Sequence, residues 1–361
     1  MTFSEIAKLR LYTQQIAEPS FIKPKQTVEW MGAIQAQDFA MAKWAVGLRT
    51  KNASEETVQK ALDKGDIIRT HVLRPTWHFV SSADIYWMLE LSAPQIIMQM
   101  KSRAKELELT QAVLNKAYTI LEKALEGGKH LNRQELVPLW EKADIITNEN
   151  RASHIFLYAE LSGLICSGVM KNNKQTYALL EERVKKSKSL SKDEALQKLA
   201  MKYFTSHGPA TLQDFKWWSG LPVKETKNAI NMVKPKLHEE KINDSVYWLT
   251  KDNINKPGKT TSAFLLPAYD EFLISYKDRT AALHINHHSQ TLSSNGIFYP
   301  IIVVNNKVAG TWKRTIKKDK IIIQTSFFET PVNSAKKAVL KSAEKLALFL
   351  NKEPEIEFVK H

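Results

Sequence analysis

The chain has 361 residues, with 52 Lys plus Arg against 38 Asp plus Glu, a formal charge of +14 and a pI near 9.5. That length suggests two to four domains, and the charge favours a polyanionic partner, nucleic acid first, with a merely basic solvated surface as the alternative. The single cysteine, Cys166, excludes an intrachain disulfide framework and a thiolate metal site, and no run approaches the roughly 20 apolar residues of a membrane helix.

The N-terminus, MTFSEIAKLRLYTQQ, lacks the apolar core of a signal peptide, so a cytoplasmic protein is expected. Helical periodicity runs over residues 4–18, about 25–36 and about 55–64. DIIRTHVLR and TWHFV then read as a hairpin, and Asp84 opens another helix, which makes 1–105 the first unit. The second, 106–185, begins with a helix ending at Gly127-Gly128. A capping box of Asn132 and Glu135 follows, then a helix over 149–163 and strands LICSGVM and QTYALL around the turn KNNK. The third, 190–255, opens on the box Ser191 and Glu194, continues through a helix-turn-helix with Pro222 near the start of its second helix, and has strand material in KINDSVYWLT.

Helices, a helix-turn-helix and two short strands thus recur three times, which is the winged-helix pattern. KDNINKPGKT is the expected linker to a β-rich unit, 256–361, containing SAFLLPAYDEFLI, GIFYPIIVV, KVAGTWKR and KIIIQTSFF. Asn305-Asn306 is its candidate hairpin turn, Pro331 starts an amphipathic helix, and EIEFV can close the sheet. The expected fold class is α+β, with three tandem winged-helix domains followed by a C-terminal β-barrel-like domain and its covering helix.

Between Trp30 and Trp44, WMGAIQAQDFAMAKW sets two carboxamides, Gln35 and Gln37, in a mostly apolar frame. Desolvating an amide without partners costs about 1–3 kcal/mol, so each is either tied into the scaffold or faces something bound there. Side chains at i and i+2 lie about 200° apart on a helix but share a face in extended chain. Both glutamines serve one site only if the helix ends near Ile34 to Ala36.

RLYTQQ at 10–15, GAIQAQD at 32–38, IRTHVLRPTWHFV at 68–80, LLPAYDEFLISYKDR at 265–279, NGIFYP at 295–300 and KVAGTWKRT at 307–315 together resemble the AlkZ-like DNA glycosylases. The likeness is strongest at the two ends, whereas about 100–255 matches mainly in layout. It implies a curved winged-helix scaffold with DNA in its concavity. Gln35-Ala36-Gln37 matches the family's glutamine, apolar residue, glutamine motif position for position, which implies that Gln35 and Gln37 are catalytic. The related YcaQ-like branch has aspartate at the third place; here Asp38 comes one residue later, where capping of the helix-like stretch Phe39 to Leu48 is the first expectation and catalytic support the second. A base alkylated at a ring nitrogen is cationic and already a good leaving group. Amides then suffice to orient water and stabilise an oxocarbenium-like sugar, with no metal and no cofactor implied.

Arg69 and His71 share one face of the first wing, and Arg74, Thr76 and His78 the other, with Pro75 interrupting the ladder. The expected DNA-binding set is Arg69, His71, Arg74, His78, Arg279, His287, Lys313 and Arg314; a polar wing with one core histidine is the alternative for His71 and His78. His284, His287 and His288 lack a carboxylate frame, so nearby DNA or an idle loop is preferred over a metal site. Asp270 and Glu271 are expected to be structural partners of such cations as Arg279, Lys313 and Arg314, and Trp140, Trp217, Trp218 and Trp248 to pack wing cores. The partner expected is double-stranded DNA carrying alkylated bases, bound by a monomer without a membrane. The competing function is a non-enzymatic winged-helix transcription regulator, against which no dimerising heptad zipper is visible.

Overall fold

A computed structural model describes residues 1–186, 188–254 and 263–359. In it helices join four sheets in a mixed α and β arrangement. Helix α1 (Phe3–Thr13) opens on a capping box of Thr2 and Glu5, and α2 (Pro24–Met31) on a proline, whose missing N–H is no loss in a first turn. The helix expected over 25–36 ends at Met31. Gly32 takes φ +77°, a conformation that favours glycine, and Ala33–Gln35 leave as strand β1 because a neighbouring strand offers them a ladder. Helices α3 (Phe39–Leu48) and α4 (Glu55–Asp63) follow, capped by Asp38 and Ser54. Strands β2 (Ile67–His71) and β3 (Trp77–Ser81) form the expected hairpin, and the sheet order is β1-β3-β2.

The long helix α5 (Ile85–Glu106) leads to α6 (Gln111–Leu125). Strand β4 (Leu131–Asn132) and helices α7 (Arg133–Glu141) and α8 (Arg151–Leu161) come next, with the Asn132/Glu135 box in place. Strands β5 (Ile165–Ser167) and β6 (Thr176–Leu179) complete a sheet in order β4-β6-β5, and Asn172 and Asn173 turn between them at φ 49° and 60°. A short α9 (Leu180–Arg183) precedes α10 (Lys192–Ser206), α11 (Leu212–Ser219), α12 (Val223–Val233) and the two-stranded sheet of β7 (Leu237–Ile242) and β8 (Ser245–Thr250). Of the expected linker KDNINKPGKT, residues 255–260 lie outside the described ones.

The last sheet contains β9 (Ala263–Leu266), then, after the short helices α13 (Glu271–Ile274) and α14 (His288–Thr291), β10 (Ile301–Val304), β11 (Lys307–Ile316) and β12 (Lys320–Phe327). Helix α15 (Asn333–Phe349) leads to β13 (Glu353–Val359). The order is β13-β12-β11-β10-β9, antiparallel except for β12 with β13, where α15 supplies the crossover that a parallel pair needs. Val304 pairs with Lys307 around Asn305-Asn306, whose positive φ values suit a two-residue hairpin loop. Among the described residues β9 and β13 are the sheet's edges, and α15 lies against both, burying Val339, Ala343 and Leu346.

One apolar core runs from α2 and α3 into this sheet, so the sequence boundary at 256 does not divide it. Trp44 from α3 donates its indole N–H to Leu265 O at 2.8 Å, and Trp312 from β11 donates to Leu266 O at 2.8 Å; both rings are buried. Truncating a buried aromatic of that size to alanine costs about 3–5 kcal/mol. A second core joins the start of α5 to α10–α12, and a third fills the unit around α6–α8. Ala33, beside the glutamine segment, belongs to the second core and so packs with α10–α12. Among the described residues no helix is long and apolar enough to cross a membrane.

Candidate active site

Ala33, Ile34 and Gln35 pair with Val80, Phe79 and His78, and Ala36 N–H donates to Trp77 O at 2.7 Å to end the ladder. Paired residues on adjacent strands point the same way, so Gln35 shares a face with His78 and Thr70 while Ile34 joins Phe79 in the core. Neither glutamine lies in a helix. Gln35 is buried: its backbone N–H donates to Glu271 Oε1 at 2.6 Å, and its Oε1 accepts from Arg74 Nη2 at 2.9 Å. Gln37 is exposed, with no hydrogen bond to its carboxamide among the described residues. Asp38 caps α3, its Oδ1 accepting from Met41 N–H at 3.0 Å, and lies within electrostatic reach of Arg69 and Arg314.

A polar network beneath Gln35 explains several of the other stretches. Arg49 at the end of α3 grips Asp270 with two bonds of 2.9 and 2.8 Å and donates to Gln14 Oε1 at 3.1 Å. Gln14 in turn donates to Glu271 O at 3.2 Å and to Tyr276 Oη at 2.9 Å, and Tyr276 donates to His207 O at 2.7 Å. Glu271 also accepts from Ser275 Oγ and faces His207 Nε2 at 3.7 Å. Burial pushes the Glu271 carboxyl up, but His207, the Ser275 hydroxyl and the Gln35 amide outweigh it and hold the group at about 2. Asp270 thus has a cation partner, but it is Arg49 rather than Arg279, Lys313 or Arg314, and Glu271 serves chiefly to anchor the Gln35 backbone. Sequence reasoning missed Arg49, Gln14 and His207. The available signal was polar side chains inside apolar runs, such as the two carboxylates of LLPAYDEFLI, which need buried partners.

On the β2–β3 hairpin Arg69 and His71 share one face and His78 lies on the other, whereas Thr76, expected on a strand with His78, lies in the turn between the strands. Arg69 is buried over the Trp77 ring at 4.3 Å, donates to Ala36 O at 3.0 Å and bonds Gln175; burial pushes its pKa down to about 10, so it stays cationic. His71 is buried beside Glu160 of α8, which it meets through both Nδ1 and its backbone N–H. His78 is buried behind Gln35, with Nδ1 bonded to Thr76 O at 2.9 Å. These three side chains lie beneath the surface, and Arg69 and His71 join the hairpin to Gln175 and Glu160. Burial, with Arg74 second, drives the His78 pKa down to about 3, so a neutral ring is the folded form. Because the unfolded chain binds that proton near pH 6.5, His78 makes the fold less stable as pH falls from 6.5 toward 3. Its imidazole resonances in an NMR titration are expected not to move between pH 8 and 5; a midpoint near 6.5 would contradict this burial.

Arg74 lies in the turn between β2 and β3, off the strand on which it was expected. Leu73 takes φ +62°, its N–H donates to Ser92 Oγ at 3.1 Å, and its carbonyl packs on Gly220. A Cβ at Gly220 would stand 2.3 Å from Leu73 O, so only glycine lets α11 approach this turn. The turn thus directs Arg74 back over Gln35.

Of the C-terminal candidates, Lys313 is exposed on β11 and Arg314, on the opposite strand face, lies within electrostatic reach of Asp38, with its Nη1 shielded and without a hydrogen-bond partner among the described residues. Arg279 donates to Leu273 O at 3.0 Å and lies over Trp217 and Phe298. His287 stacks on Phe328 at 4.2 Å and bonds Gln290, and with His284 it lines a cavity of about 600 Å³ whose lining includes neither glutamine. Trp140 and Trp218 are buried as expected, but Trp217 is not core: it is 36 % exposed under Lys277 and Arg279. Trp248 is half-buried.

The structure thus brings together a carboxamide pair at a strand end, one buried and one open, with Arg69 and Arg74 beside it and the carboxylate of Glu271 beneath. Residues 28–349 match the family model described as DNA glycosylase AlkZ-like, and the chain belongs to that family. It is 23 % identical over 337 residues, 87 % of this chain and 86 % of the other, to a Streptomyces sahachiroi protein named interstrand DNA cross-link repair glycosylase. Its fold is similar to that of the solved Streptomyces sahachiroi DNA glycosylase AlkZ, with a TM-score of 0.81, 20 % identity and 99 % of each chain covered.

Proposed function

We propose that this protein is a monofunctional DNA glycosylase that hydrolyses the N-glycosidic bond of cationic, alkylated purines in double-stranded DNA and unhooks alkyl crosslinks between strands. The C1′–N bond breaks, its electron pair neutralises the base cation, water oxygen bonds C1′, and one water proton passes to solvent. Gln37 and Gln35 supply the hydrogen bonds and dipoles that orient water and stabilise the oxocarbenium-like sugar. Asp38 supports them by holding the start of α3. The observation that carries this reading is the exposed Gln37 carboxamide, free of hydrogen bonds among the described residues and two positions from the buried Gln35.

The three sheets at β1–β3, β4–β6 and β7–β8 act as wings of three tandem winged-helix units, and the last sheet as a barrel-like cap, with DNA lying between them. The protein works as a cytoplasmic monomer without metal or cofactor. Lys313, Arg314 and Arg279 contact phosphates, while Arg69, His71 and His78 shape the wall from beneath. Release of free N7-alkylguanine from a duplex, leaving an abasic strand that stays whole until treated with alkali, is the expected product pattern; enzymatic nicking would contradict the monofunctional assignment.

Binding to undamaged duplex is governed by phosphates. If six to ten are engaged, affinity falls about 10³–10⁵-fold between 50 and 200 mM salt, whereas a nearly flat salt dependence measured by fluorescence anisotropy would contradict the charge argument.

A further inference from the structure

We infer that Arg74 is a positioning residue that fixes the division of labour between the two glutamines, an inference that rests on the function proposed above. A guanidinium has only donors, so the amide atom 2.9 Å from Arg74 Nη2 must be the Gln35 oxygen. The orientation of this amide is therefore set by chemistry. Gln35 Nε2 is left without a hydrogen-bond partner among the described residues and is not shielded from solvent. Gln35 consequently offers its NH2 to the substrate, as a donor to an acceptor on the departing base. Gln37, whose carboxamide is unrestrained, supplies the oxygen that accepts from water.

Two features hold Arg74 to this task rather than to a phosphate. The left-handed turn at Leu73, pinned by Ser92 and by contact with Gly220, aims the side chain inward. Its Nε is buried, and its other near neighbour is His78 Nε2 at 3.5 Å. The backbone of Gln35 is fixed independently by Glu271, so Arg74 governs the carboxamide alone.

The test is a double-mutant cycle in single-turnover release of N7-methylguanine from duplex DNA, using wild type, Arg74→Met, Gln35→Ala and the double variant, with affinity for undamaged duplex measured alongside. Arg74→Met is expected to slow release about 10²-fold, the scale of a misplaced reacting group, with affinity unchanged. The double variant should be no slower than Gln35→Ala, because a residue acting through Gln35 has nothing left to position. Gln35→Glu keeps an acceptor for Arg74 but loses the NH2, and should be as slow as Gln35→Ala. Multiplying losses in the double variant would overturn the inference, as would weakened binding with normal release, the pattern of a phosphate contact. Should Arg74→Met not fold, Arg74→Lys, which keeps one donor at shorter reach, enters the same cycle with a smaller loss and the same non-additivity. An active wild type with an additive cycle removes this inference alone. A wild type that releases no base removes the proposed function and this inference with it.

Discussion

Replacing Gln37 with alanine is expected to slow base release about 10²–10³-fold, equivalent to about 2.7–4 kcal/mol of transition-state stabilisation, while leaving the fold and DNA affinity intact. The side chain is exposed and without hydrogen bonds among the described residues, so its truncation breaks none of the bonds that hold the fold there. An oriented dipole acts most where charge develops, and a cationic leaving group already lowers the barrier, which places the effect at the lower end of that range. Gln37→Glu retains an acceptor oxygen in the same shape and should keep more activity than alanine. Gln35→Ala differs in kind, because it leaves the Arg74 guanidinium without its acceptor and costs about 1–3 kcal/mol of stability besides its effect on rate. Thermal midpoints beside single-turnover rates separate the two, and a Gln37→Ala variant as fast as wild type would remove Gln37 from the chemistry.

Asp270→Ala is expected to destabilise the protein by about 3–5 kcal/mol, measured by denaturant unfolding. Asp270 and Arg49 are both buried and joined by two hydrogen bonds, so removing the carboxylate strands a cation that water cannot reach. The damage would propagate. Arg49 also holds Gln14, and Asp270 Oδ1 accepts the Phe272 N–H that starts α13, the helix carrying Glu271 under Gln35. Asp270→Asn, which keeps one acceptor, should cost less. Equal stability of Asp270→Ala and wild type would mean that Arg49 finds another partner and that the network is not what supports the site.

Features set by neighbouring residues were legible in the sequence. The Asn132/Glu135 and Ser191/Glu194 boxes, the Asn305-Asn306 turn and the strand pair after Asp66 depend on side chains or backbone preferences within a few positions. What escaped depends on distant partners. Helical periodicity through residue 36 is interrupted at Gly32 because β3, more than forty positions on, offers β1 a ladder. Alternation placed Arg69 and His71 on one face of the hairpin and His78 on the other, but it ran through Arg74 and Thr76, which lie in the turn, and it could not tell that Glu160 and Gln175, 89 and 106 positions away, would draw His71 and Arg69 inward. For the same reason Gln35 and Gln37 stood out as a pair, but not that Arg74 and Glu271 would bury one and leave the other open. Asp270 and Glu271 invited cation partners; only the fold showed that Arg49 takes the first while the second anchors a backbone amide.

Single-turnover incubation of the wild-type protein with duplexes carrying N7-alkylguanine adducts of several sizes, with chromatography of the free base, tests the central claim most directly. Release of the alkylated base is expected, at a rate that Gln37→Ala lowers by about 10²-fold or more. No release from any adduct, together with tight binding to one particular DNA sequence, would contradict it and identify a regulator instead.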